Sequence, residues 1–136
     1  MQTFLPVRDF YGSMVILDPR RLGKQRVEAK QILQTLELNK MGYRGPWNNH
    51  PAVLMWKGYE EELKYYLFCS IREWERRGYY NTMLYPNFSG TVLPPWVDEK
   101  LCSSHRAALL AKDYKYYSQF NWEEKPGIYY HWPVRK

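Results

Sequence analysis

Between Asp18 and Leu33 the chain places Arg20, Arg21, Lys24, Arg26 and Lys30 around one carboxylate, Glu28. A carboxylate held in a cleft among cations is a natural proton-transfer group, and the cations are natural phosphate ligands. The α-amine of Met1, upstream of that stretch, supplies a third reactive group. As a class, α-amines with a pKa of about 7.7–8.0 are roughly 10–17% free base at pH 7, against about 0.04% for ordinary lysines. An amine must be unprotonated to attack carbon, so Met1 is the first candidate nucleophile and Lys24 the second. Glu28 also has a plain reading as a helix carboxylate paired with Lys24 or Arg21. The cations have one too, as a solubilising face.

These residues need a helix to hold them. Asp18 is a good N-cap and Pro19 fits the first helical position. Leu22, Ala29, Ile32, Leu33 and Leu36 recur at helical spacing and predict a buried stripe. At 100° per residue, Arg21, Gln25 and Glu28 share one flank of that stripe. Arg26 lies on the other flank, and Lys24 with Lys30 points outward. Upstream, residues 1–17 read as an apolar arm followed by a turn at Tyr11-Gly12-Ser13. Gly42 and Gly45-Pro46 mark a loop. A second helix is expected over Ala52–Arg77, with ion pairs Glu60–Lys64 and Glu73–Arg77 on its wet face and a stop at Gly78. Residues 79–95 read as irregular, either a binding loop or a connection. A third helix is expected from Val97 to about Tyr117, followed by an aromatic, Lys-containing tail from Asn121. The expectation is a compact all-α single domain over 1–136, with three main helices, an extended N-terminal arm and an aromatic C-terminal tail.

Three further groups are candidates for contact with a base. In Trp47-Asn48-Asn49-His50, Trp47 can stack on a flipped base and Asn49 or His50 can read its edge. The same residues suit an ordinary helix start with Asn49 or His50 near the cap. His105 on the third helix is a pocket candidate or a satisfied histidine at the edge of the core. Tyr114, Trp122 and Trp132 form a stacking surface or pack back over the helices.

The bulk numbers limit the partners. Hydrophobic residues make up 45% of the chain, too many for a disordered protein. The net charge of +6 favours an anionic partner, nucleic acid or a membrane surface. No apolar run approaches the roughly 20 residues needed to cross a bilayer, and no secretory apolar core opens the chain. The expected location is therefore the cytoplasm, with Cys69 and Cys102 as buried free thiols. With three histidines and no Cys/His cluster, neither a metal nor a cofactor is expected.

Three motifs carry a resemblance: the opening Met1-Gln-Thr-Phe-Leu-Pro6, the segment Leu22-Gly-Lys-Gln-Arg-Val-Glu-Ala29, and His50-Pro-Ala-Val-Leu-Met-Trp-Lys-Gly-Tyr59. Together with the segment from Tyr59 to Tyr80 and the aromatic tail, they resemble the pyrimidine-dimer DNA glycosylase (endonuclease V-like) family. The resemblance implies an all-α, metal-free enzyme acting on double-stranded DNA as a glycosylase with associated AP lyase activity. It implies that an N-terminal amine attacks C1′ of the damaged nucleotide and displaces the base. The Schiff base so formed then breaks the strand by β-elimination, assisted by a glutamate of the first helix. On this chain those roles fall to Met1 and Glu28, with Arg20, Arg21, Lys24, Arg26 and Lys30 on the phosphates. Gln2 is too bulky for the usual removal of the initiator, so Met1 is expected to stay. The alternative is a non-catalytic, basic nucleic-acid-binding protein of the same fold. The lesion and the oligomeric state are left open by the sequence.

Overall fold

The Asp9 carboxylate accepts the Gly12 N–H at 2.7 Å and starts a helix where the sequence predicts only a turn. The computed structural model describes residues 1–45, 47–90 and 92–134; Pro46, part of the predicted loop, lies outside them, as do the last two residues of the tail. Among the described residues there are six α-helices, one 3-10 turn and no strand. They are α1 Phe10–Ile16, α2 Pro19–Lys40, α3 Pro51–Leu54, α4 Glu60–Arg76, α5 Glu99–Lys112 and α6 Tyr114–Tyr117. The three longest, α2, α4 and α5, are the three main helices expected.

Helix α2 begins as its sequence dictates. Asp18 accepts the Arg21 N–H, and Pro19 occupies the first position, where a missing N–H costs nothing. Leu22, Ala29, Ile32, Leu33 and Leu36 are all buried, and the helix packs along α4. The close approach is at Gly23: a Cβ there would stand 3.1 Å from the Trp74 ring.

The other two long predictions are each divided. The expected helix over Ala52–Arg77 breaks at Gly58, whose φ of +88° favours glycine. The Glu60 carboxylate accepts the Gly58 N–H there, which takes Glu60 out of the predicted pairing with Lys64. Lys64 pairs with Glu61 instead, at 2.7 Å. The third helix breaks at Asp113, whose backbone leaves the helical region (φ −153°, ψ 73°) and whose side chain caps α6 by accepting the Tyr116 N–H.

Glu73 is a second correction. The pair with Arg77 forms at 2.8 Å, but Glu73 is fully buried rather than on a wet face, because α1 packs over it. Tyr11, Arg76 and Arg77 all donate to its carboxylate. Burial alone would raise its pKa; the two arginines outweigh that and hold it at about 2. Arg77 also donates to the Met14 and Val15 carbonyls, closing the C-terminal end of α1.

The N-terminal arm runs through the core rather than over it. Gln2, Thr3, Phe4 and Leu5 are buried. Among the described residues no strand pairs with the arm, so side chains of α2, α4 and α5 meet its backbone, Tyr66 of α4 donating to the Phe4 carbonyl. Gln2 N–H donates to Glu28, Phe4 N–H to Gln25, and Leu5 N–H to His105. Thr3 Oγ1 accepts from the Trp56 indole at 3.0 Å. A buried backbone N–H left unpaired costs about as much as a lost hydrogen bond, so these side chains fix the path of the arm. The tail folds back over α5 and the arm. Trp122 stacks on Tyr117, and Tyr130 packs against both Phe4 and His105.

Candidate active site

Where the arm meets the first half of α2, an open cavity of about 310 Å³ forms. Met1, Gln2 and Phe4 of the arm line it, with Arg20, Arg21, Lys24, Gln25 and Glu28 of α2 and Lys112 of α5. The flank assigned by helical spacing to Arg21, Gln25 and Glu28 is therefore a cavity wall.

Glu28 is half-buried. It pairs with neither Lys24 nor Arg21 among the described residues; its Oε2 instead accepts the Gln2 N–H at 3.2 Å. That bond places the carboxylate one residue along the chain from the Met1 α-amine. Its charge also reaches Tyr66 and Tyr130, whose hydroxyl pKa values are raised by burial first and by Glu28 second. Arg21 leans the other way on Tyr130, so the Tyr130 hydroxyl lies within the electrostatic reach of both Glu28 and Arg21.

The cations differ in how free they are. Arg20 and Lys24 are exposed. Arg21 is half-buried and held by Asp18 at 3.3 Å. Asp18 in turn receives the Tyr117 hydroxyl, so the N-terminus of α2 is pinned by α6. Lys112 comes from the last turn of α5, 84 positions from Glu28, and no local pattern in the sequence signals it. Gln25 lies on the predicted flank, and as a neutral side chain among cations it carries no charge signal of its own.

The remaining candidates stand elsewhere. Arg26 turns to the opposite flank, where its guanidinium lies 4.0 Å over the Trp74 ring and meets Asn81 at 3.5 Å. Burial lowers its pKa. Lys30 lies by a shallow groove with Val27, Gln31, Gln34 and Met83. His50 caps α3 through Nδ1, accepting the Ala52 N–H at 3.0 Å, and packs edge-on to Trp47 and Trp132. Asn49 lines a separate cavity of about 530 Å³ at the far end of α2, with Asn39, Lys40, Arg44 and Lys57. His105 is fully buried and does not line the Met1 cavity. Its Nδ1 accepts the Leu5 N–H at 2.8 Å, and burial drives its pKa down to about 3. The base-pocket set is thus dispersed: His50 serves a cap, His105 a core contact and Asn49 the second cavity, while Trp47 is exposed and meets His50 edge-on.

Among the described residues, no three His, Cys, Asp or Glu side chains gather to hold a metal ion, and no helix is long and apolar enough to cross a membrane. The residues that line the cavity do carry between them an amine, a carboxylate, carboxamides and four cations. Comparison with curated proteins and with solved structures returns no match. The family described as pyrimidine dimer DNA glycosylase matches residues 1–87, the span that carries the arm and α1 to α4. With well over half of its length so matched, the chain belongs to the pyrimidine dimer DNA glycosylase family, whose substrate is DNA.

Proposed function

We propose that this protein excises damaged pyrimidines from double-stranded DNA and then nicks the strand, using the Met1 α-amine as nucleophile and Glu28 as its proton-transfer partner. The observation that carries the reading is that Met1 and Glu28 line one cavity with Arg20, Arg21, Lys24 and Lys112. The amine lone pair attacks C1′, and the glycosidic bond breaks with its electrons leaving on the base. Loss of a proton from nitrogen and opening of the C1′–O4′ bond give the Schiff base. Glu28 then removes a proton from C2′, and the 3′-phosphate departs by β-elimination. Hydrolysis of the Schiff base frees the amine. The four cations hold the flanking phosphates through these steps.

The test is strand nicking of a duplex carrying a cyclobutane dimer, before and after the α-amine is selectively blocked. Loss of nicking with DNA binding retained supports the reading. Nicking that survives the block moves the nucleophile to a lysine, with Lys24 first in line. No nicking by the unblocked protein, with tight binding to duplex DNA, favours a binding protein without this chemistry.

A further inference from the structure

Gln25 is held in one orientation by chemistry rather than by choice of assignment. The Phe4 N–H can only donate, so the carboxamide atom it meets at 2.8 Å is the oxygen, Oε1. The Tyr66 hydroxyl stands 2.6 Å from the same oxygen and 2.9 Å from the Phe4 carbonyl, dividing its one proton between them. With Oε1 so engaged, Gln25 has its amide NH₂ left for the cavity it lines. That nitrogen has no partner among the described residues. Gln2, on the same cavity, repeats the arrangement: its Oε1 accepts the Thr3 N–H at 2.9 Å, and its buried Nε2 finds no acceptor among the described residues. Two carboxamides that line the cavity, one from the arm and one from α2, thus have their oxygens tied to the arm and their nitrogens unpaired among the described residues.

We propose that Gln25, seconded by Gln2, is the specificity-determining donor that binds a ring carbonyl oxygen of the departing base. The inference rests on the glycosylase reading. When the glycosidic bond of a pyrimidine breaks, the electron pair left on N1 spreads onto the adjacent carbonyl oxygen. A preorganised N–H aimed there stabilises the leaving group more than the bound substrate. Adenine carries no ring carbonyl and gains nothing from such a donor. Because the same side chain holds Phe4, Gln25 couples recognition of the base to the path of the arm that carries the amine.

Gln25→Glu tests the assignment. The replacement keeps an oxygen for Phe4 and Tyr66 but removes the amide donor. Two rates are compared with wild type. One is single-turnover scission of the glycosidic bond in a dimer duplex, where the cleaved base stays linked to its neighbour through the cyclobutane ring. The other is borohydride trapping on a duplex with a preformed abasic site, where there is no base to grip. Glycosidic-bond scission is expected to fall about 100-fold more than abasic trapping. Equal losses in both would reduce Gln25 to a support for the arm, and an unchanged ratio with unchanged rates would place it outside the reaction; either overturns the proposal. Wild-type protein inactive on both duplexes would instead remove the glycosylase reading itself. A second measurement needs no variant to fold. The side-chain amide proton resonances of Gln25 in wild-type protein should move with the dimer duplex and move much less with the abasic one. Equal movement, or none, contradicts the proposal.

Discussion

Glu28 accepts the Gln2 N–H, so its carboxylate is tied to the segment that carries the α-amine. Gln at this position can accept the same bond through its amide oxygen, which makes Glu28→Gln a clean removal of the proton-transfer group. Nicking by Glu28→Gln should fall by about 10²–10⁴-fold, the usual contribution of such a group. Filter binding to the same duplex should be kept; loss of binding to a similar degree would make Glu28 structural. The arginines separate by what they touch. Arg21 lines the cavity, whereas Arg26 lies over Trp74. Arg21→Ala should make the salt slope of DNA binding shallower by about one unit. Arg26→Ala should leave the slope alone and lower stability by about 1 kcal/mol, as expected for a partly desolvated cation–π contact. Denaturant melts beside salt titrations distinguish the two, and a slope that moves with Arg26 would put it on a phosphate.

Helix α2 shows how far spacing alone reaches. Its cap, its buried stripe and the flank shared by Arg21, Gln25 and Glu28 were all legible, because a 3.6-residue period fixes which side chains share a face. The breaks at Gly58 and Asp113 were not, since in each a side chain captures a nearby backbone N–H and overrides a continuing apolar pattern. Helix α1 was hidden for a similar reason: Gly12 read as a turn, yet Asp9 captures its N–H. The extended course of the arm is legible in its sequence, but its threading through the core, held from 100 positions away by His105, is not. That last contact has a pH signature. His105 is held neutral in the folded protein, at a pKa of about 3, while an unfolded histidine takes up its proton near 6.5. The unfolded state therefore binds the extra proton between those values, and stability falls as pH drops through that window, by about 1.4 kcal/mol per unit. His105→Gln retains an acceptor for Leu5 but does not titrate. Unfolding curves from pH 6.5 to 4 should be less steep in pH for this variant by about one proton; an identical dependence would contradict the assignment.

At the scale of the whole molecule, the site is an assembly of parts with separate origins. The family match ends at residue 87, yet Lys112, His105 and Tyr130 reach the arm or its cavity from beyond it. The C-terminal third closes the arm from behind and adds a cation to the wall. This is why the basic face was visible in composition while its fourth cavity cation was not: Lys112 is near α2 only because α5 ends there. If Arg20, Arg21, Lys24 and Lys112 each meet a phosphate, log K for duplex DNA should fall against log salt with a slope of about −3.6. A slope near −1 would leave most of the wall unengaged. The central claim is that the α-amine of Met1 is the nucleophile, and borohydride trapping with mass spectrometry of the adduct tests it most directly. On a duplex carrying a cyclobutane dimer, the account predicts a covalent protein–DNA species whose attachment maps to the Met1 nitrogen. An adduct on Lys24 or another lysine, or no adduct from protein with a free terminus that binds the duplex, would contradict it.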